Sequence, residues 1–395
     1  MVTLTTAENA LKTLYLGVVS DQLNTGINPL LAKFKQSTSD VWGKEIRKLA
    51  PYGINGGIGA GTEEGDLPAA AANNYAQFVL TLKNLYGTIE LSDKAIRASA
   101  SNSGAFVNLL NAEMEGLLKA STFNFGRMLY GDGSGVLGCI QSAVPGCLTL
   151  DGVKNCMEGM VIDVLQSDGS LVESMRGVRI TAIDRAQNKV YITGGAVEVL
   201  TPAGSHFVTV QGSYNLELTG LKAVFDNSPS ATLYGLSKSE HRWLTPQSTD
   251  LTSGGGLISD IHIQKAVDYL DETAGSRADF IVCSSGVKRA YQEYMNTFKQ
   301  NIDVMNLEGG YKALSFGGIP LTSDRFVDKG TMYILNAKEF TLHQLCDWRW
   351  LEGEDGRIIK QKAGKPVYGA TLVKYADLIC DKPIGQAVIT GITEQ

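Results

Sequence analysis

The stretch between Ser103 and Tyr130 limits what this chain can fold into more than any other. Phe106, Leu110, Met114, Leu117, Phe125 and Met128 recur there at helical spacing on one face, with Ser121 in the gap of the stripe. Leu109, Leu118 and Phe123 widen that face. Ser101 or Ser103 is a candidate N-cap, and Gly131 suits the left-handed position after the last turn. A helix over 103–130 spans about 42 Å at 1.5 Å per residue. A rod this long and this poor in charge needs cover on more than one side.

Composition bounds what can provide that cover. The 395 residues are 44% apolar, a content suited to two or three compact units. Lys and Arg number 35 against 41 Asp and Glu, a net charge of −6 that argues against a general, strongly basic nucleic-acid binder while leaving a local basic patch open. The start carries Glu8 and no basic cluster before its apolar run, so it does not read as a signal peptide, and no run is long enough for a membrane span. A soluble protein of a reducing compartment is expected. Gly, at 44 residues without a repeat, implies many turns and bent strands.

Candidate chemistry is sparse. Cys139, Cys147, Cys156, Cys283, Cys346 and Cys380 form no CxxC pair and read as small apolar residues. His206, His241, His262 and His343 form no HxxxH or HExxH, and no catalytic, cofactor or metal residues are assigned. Gly133-Ser-Gly-Val-Leu-Gly138 matches G-x-G-x-x-G as a string, but it follows a helix instead of opening one, so it reads as a helix stop and loop. Gly56, Gly57, Gly59 and Gly61 lack a following Lys-Ser/Thr and suit a flexible loop tip.

Along the chain, a helix is expected over 7–24, ended by Gly26 and Pro29, and 30–49 mixes Phe34, Val41, Trp42 and Ile46 with Lys33, Lys35, Lys44, Arg47 and Lys48. A Gly- and Ala-rich run follows, with an acidic knot at Glu63, Glu64 and Asp66. Phe78, Leu80 and Leu82 alternate with Val79, Thr81 and Lys83, and Ile89 and Leu91 with Glu90 and Ser92, which predicts a two-stranded ribbon turning near Asn84–Gly87. An ordinary internal hairpin fits the same pattern. Short β-rich runs from Met160 to Val210 predict a small barrel or sandwich inserted over 151–222. Beyond it, a helix around Ile263–Leu270, a buried strand Phe280–Cys283, a helix capped by Ser284 or Ser285 and later strands make an α+β body.

This order of parts resembles the major capsid proteins of tailed bacteriophages that share the HK97 fold. The stretches that carry the likeness are Phe78–Ser92, Arg127–Gly138, Leu218–Asn227 and Ala278–Tyr291. The resemblance implies an N-arm (1–50), an extended loop (51–97), a spine helix with its following loop (98–150), a peripheral domain resumed at 223–275, an axial domain (276–365) and C-terminal strands returning to the body (366–395). The insertion at 151–222 is a departure, because the simplest members lack a barrel there.

What the resemblance implies is a non-enzymatic subunit of an icosahedral shell around double-stranded DNA. Its partners would be copies of itself, a portal protein, DNA held by non-specific contact and, in some members, scaffolding and decoration proteins, with no membrane. Shell assembly in a host cytoplasm would place it in the virion capsid. Phe34, Trp42, Ile46, Phe78, Leu80, Leu82, Ile89 and Leu91 are the expected apolar subunit interface, since arm and ribbon read as unable to bury them alone. Glu63, Glu64 and Asp66 are expected to meet the basic arm run of an adjacent subunit, setting register more than strength. Lys83 has no marked partner Asn or catalytic acid, so covalent cross-linking is not expected. Competing readings are an encapsulin-like compartment, a tail-tube or adaptor ring, and a cytosolic α+β enzyme with a barrel appendage.

Overall fold

Three apolar cores, each built around its own sheet or barrel, organise the chain. The structure, a computed structural model, describes residues 28–39, 41, 43, 45–94, 103–194, 205–298, 304–306, 312–353 and 356–395. The expected helix at 7–24, Trp42 and Lys44 lie outside that set, as do the side chains of Phe106, Leu109 and Leu110. No helix among the described residues is long and apolar enough to cross a membrane.

Strands β1 (Lys35–Ser37), β2 (Glu45–Tyr52), β3 (Asn74–Thr81) and β4 (Lys83–Ser92) lead into the spine helix α1 (Ser103–Leu129). The ribbon is β2 with β3, antiparallel from Glu45↔Thr81 to Tyr52↔Asn74. This corrects the expected pairing of 78–82 with 89–91. Asn84–Gly87 is not a turn, because β4 runs on from β3 after Leu82 and pairs elsewhere. Gly87 serves a different need: a Cβ there would meet Leu117 Cδ1 at 2.8 Å and Ser121 Oγ at 3.2 Å, so its bareness lets α1 lie close on β4.

After α1 the chain builds a closed barrel from β5 (Val136–Val144), β6 (Cys147–Leu150), β7 (Val161–Gln166), β8 (Val178–Asp184), β9 (Lys189–Thr193) and β10 (His206–Val210). It closes through β10 on both β5 and β7. The insertion therefore begins at Val136, not at 151, and takes in the segment expected to be a loop. Alternating inward residues such as Ile140, Leu148, Ile162, Val164, Ile180 and Val190 fill its interior.

A short helix α2 (Leu221–Phe225) and the hairpin β11 (Thr232–Leu233) with β12 (Leu236–Ser237) follow. The next elements are β13 (Gln247–Asp250), α3 (Asp260–Tyr269), β14 (Phe280–Cys283), α4 (Ser285–Phe298), β15 (Val304–Asn306), β16 (Lys312–Phe316), β17 (Ile319–Ser323) and β18 (Met332–Leu335). The chain ends with β19 (Phe340–Trp350), β20 (Lys360–Gln361), β21 (Val367–Cys380) and β22 (Ala387–Thr390). Ser284 caps α4, accepting from the N–H of Val287 at 3.3 Å, and Gly275 takes φ +57° just past the α3 turn, both as the sequence predicts.

Two sheets complete the body. One runs β13-β22-β18-β14-β17-β16-β15, with Ile263, Ala266, Val287 and Tyr291 of α3 and α4 packed on it. The other joins β1, β19, β21 and β20, with β4 also on β21 from Lys83↔Ala376 to Ser92↔Val367. Met114, Leu118, Phe125 and Leu129 of α1 share the core of this second sheet. The expected boundaries at 276 and 366 do not follow these sheets: β13 and α3 belong with the first sheet, while β19 and β21 belong together in the second.

Candidate assembly surfaces

The two faces of the ribbon differ sharply. Ile46, paired with Leu80, and Phe78 turn inward. Phe78 lies 5.1 Å from the Tyr234 ring and 5.8 Å from Trp243, and Tyr52 stacks on Trp243 at 5.2 Å. The N–H of Val79 donates to the Tyr234 carbonyl at 3.0 Å, and Lys48 pairs with Asp381 at 2.8 Å. These contacts hold the base of the ribbon on its own subunit.

Most of the apolar residues expected at a subunit interface are therefore core residues. Phe34 stacks on Phe340 at 4.8 Å, and Phe34, Ile46, Phe78, Leu80, Leu82, Ile89 and Leu91 are all buried within the chain. The alternation was legible, but period two yields two faces and does not say which is covered. The uncovered row is the opposite one, Leu49, Tyr75 and Val79, and Leu49 is 65% exposed. Of the interface residues named from sequence, only Glu63, Glu64 and Asp66 stand exposed, and Trp42 lies outside the described residues.

Beyond the base the ribbon leaves the body. Every residue from 58 to 75 is exposed, including Ile58 at 75% and Leu67 at 90%. The basic arm run expected to meet the acids of this tip is partly engaged within the subunit, because Arg47 pairs with Glu45 at 3.1 Å and Lys48 with Asp381. A basic element that the sequence reading passed over lies elsewhere. Arg357–Pro366 holds Arg357, Lys360, Lys362 and Lys365 without an acid, and that density of cations in ten residues was the available signal.

Between β4, α1 and the 210–217 segment leaving the barrel lies an open groove of about 510 Å³, lined by Tyr86, Leu117, Met128, Leu216 and Trp348 among others. Behind it Arg127 donates to both carboxylate oxygens of Glu217, at 2.8 and 2.5 Å, with both side chains buried. This ties the spine helix to the barrel exit. Lys374 is enclosed beneath the Phe125 ring and bonded to Gln344 and Asp347, each at 2.7 Å; burial lowers its pKa and Asp347 opposes that shift. Asp377 is fully enclosed, and burial pushes its carboxyl up to about 6. These groups knit elements together. Among the described residues no group of three or more His, Cys, Asp or Glu could hold a metal ion.

No family model matches the chain, and no curated protein does. Among solved structures it is similar to a chain of the cyanophage A-1(L) capsid, with a TM-score of 0.53 and 13% identity over 95% of this chain and 92% of that one. A chain of Mycobacterium phage Adephagia matches at TM-score 0.46 and 10% identity over 93% and 90% of the two chains. A chain of the holo-SrpI encapsulin complex from Synechococcus elongatus matches at TM-score 0.30 and 13% identity, over 37% of this chain and 53% of that one. The spine helix on its sheet, the ribbon standing off from it, the second sheet with two helices and the cyanophage likeness together make this the HK97-like fold of phage capsid proteins.

Proposed function

We propose that this chain is the major capsid protein of a tailed phage, a structural subunit that assembles with copies of itself into a closed shell around double-stranded DNA. The observation that carries this reading is the ribbon tip. Residues 58–75 are exposed without interruption, and Leu67, Ile58 and Ile54 stand in water at 75–90% exposure. A long exposed apolar arm is a liability in a monomer and an asset where a neighbour covers it. A ribbon held at its base and free at its tip makes a contact of two different surfaces, which propagates around symmetry axes until it closes. The buried polar groups serve packing, and we assign no reaction to the groove. A portal, scaffolding or decoration protein would join such a shell in the virion.

Expression of the chain, followed by sedimentation and negative-stain microscopy, tests the proposal. Closed particles are the expected outcome, and nuclease-resistant DNA is expected in particles from infected cells. A monodisperse species of 42.4 kDa under all assembly conditions would sink it.

A further inference from the structure

Asn55 is the one asparagine of this chain that a glycine follows. It stands just past β2, at the foot of the ribbon tip, and both Asn55 and Gly56 are exposed. Its side chain is nevertheless held. Oδ1 accepts from the Gly57 N–H at 2.8 Å, and Nδ2 donates to Asn73 Oδ1 at 3.0 Å on the returning side of the ribbon. Asn73 is fixed in turn by donating to the Tyr75 hydroxyl at 3.2 Å.

These contacts arrange a reaction of the chain with itself. The ring closed by the hydrogen bond from Gly57 contains both Asn55 Cγ and the Gly56 nitrogen, so the two are kept as neighbours. Attack of that nitrogen on Cγ closes a five-membered ring. Gly56 puts no side chain in the way, and no hydrogen bond among the described residues ties up its N–H. Charge developing on Oδ1 meets the Gly57 N–H already in place. Asn73 Oδ1 holds the amide nitrogen that must leave. Asp132 and Asp168 also precede glycine and make the same turn, onto Ser134 and Ser170, but an ionised carboxylate is a poor electrophile.

We propose that Asn55–Gly56 is a site of self-modification, at which the Asn55 amide is lost through a cyclic imide to leave an aspartyl or isoaspartyl residue. The Gly56 nitrogen gives its proton to water as it bonds to Cγ. The Cγ–Nδ2 bond then breaks, and Nδ2 takes up a proton and departs as ammonia. Water opens the imide at either carbonyl. The net change is amide and water to acid and ammonia, with nothing oxidised or reduced. Residues 53–73 then carry a fourth acid beside Glu63, Glu64 and Asp66, and no cation. Where the imide opens to isoaspartate, the backbone also gains a methylene at the foot of the tip. The reaction needs no second copy, so it stands apart from the shell reading, yet it ages the surface on which that reading rests.

Peptide mass spectrometry of the folded, unassembled subunit, incubated near pH 8, tests this. Asn55 should convert to acid at least as fast as in the same chain unfolded in guanidinium, because the turn keeps the reacting atoms together. An isoaspartyl methyltransferase should label the subunit increasingly as it ages. Gly56→Ala suits the fold, since a Cβ there comes no closer than 3.4 Å to the Ala71 methyl, but it crowds the attacking nitrogen and should slow conversion about tenfold or more. A folded rate below that of the unfolded chain would show that the turn shields Asn55. An unaltered rate in Gly56→Ala would show that the amide is not lost through the ring. Either result overturns the inference and leaves the shell reading as it was.

Discussion

Asp377 on β21 accepts from the N–H groups of Thr219 and Leu378, each at 2.8 Å, and from the Thr219 hydroxyl at 3.1 Å. Those bonds and the nearby Lys83 favour its charge, but enclosure outweighs them and raises its pKa to about 6. A raised carboxyl keeps its proton in the folded state to higher pH than in the unfolded chain. The native subunit therefore binds more protons between about pH 4 and pH 6, and its stability falls as pH rises through that window, by on the order of 3 kcal/mol from this group. In Asp377→Asn the amide oxygen can accept from both N–H groups, and the amide nitrogen can donate to Thr219. Urea unfolding of the unassembled subunit at pH 4.5 and pH 7.5 should show the decline much reduced in the variant, the remainder coming from Asp324 and Glu339, which burial also raises. An unchanged decline would remove Asp377 as its source. None of this was legible from sequence, where Asp377 is one acid in a β-rich run and only its neighbours across the sheet enclose it.

At the scale of the element, the spine helix shows which sequence signals carry through folding. Its span, its low charge and, from Met114 onward, its apolar face were readable because helical periodicity is local. Its termination was not. Gly131 does not take the left-handed conformation, and the left-handed residues come later, at Gly133 (φ +89°) and Gly135 (φ +79°). The last turn closes through the Tyr130 and Gly131 N–H groups on the Arg127 and Met128 carbonyls, and Gly220 packs directly against it. A Cβ there would meet the carbonyl oxygens of Gly131 and Leu129 at 2.6 and 2.7 Å, and that of Met128 closer still. Gly220→Ala should therefore destabilise the subunit by about 3 kcal/mol or more, since backbone carbonyls cannot rotate aside. Gly116→Ala, on the same helix with nothing within 4 Å of the added methyl, should be neutral or stabilise by up to about 1 kcal/mol. Thermal unfolding of the two variants side by side measures the contrast, and equal effects would mean that the close approach at Gly220 is not tight.

For the whole molecule, the barrel is the part most nearly independent. It has its own core, and its first and last strands lie side by side, with Val136 the register partner of Thr209. A short Gly-Ser link can replace residues 136–210 without stretching the remainder. The main losses are the Lys154–Asp328 pair and the packing of Met157 and Met160 on the body, together about 1–3 kcal/mol. The shortened chain should keep a single cooperative unfolding transition, and the excised barrel should show one of its own. An unfolded remainder would show that the barrel is integral to the body. The two body sheets are not separable in this way, because the chain crosses between them from β18 to β19 and again from β21 to β22.

By itself the sequence determined the inventory: a long helix poor in charge, an inserted β-rich unit, strands of alternating character, an acidic tip and the order in which they occur. These rest on periodicity, caps and turn residues, whose interactions span a few positions. Only the tertiary structure decided the partners. It placed β3 on β2 and β4 on β21, closed the barrel through residues before 151, and turned Phe78, Leu80 and Ile46 into the subunit while leaving Leu49, Tyr75 and Val79 outside. Strand partners lie opposite one another across separations as large as 306 positions, as in Thr341 opposite Lys35. Which face of a strand is dry depends on what lies over it, and no local pattern encodes that.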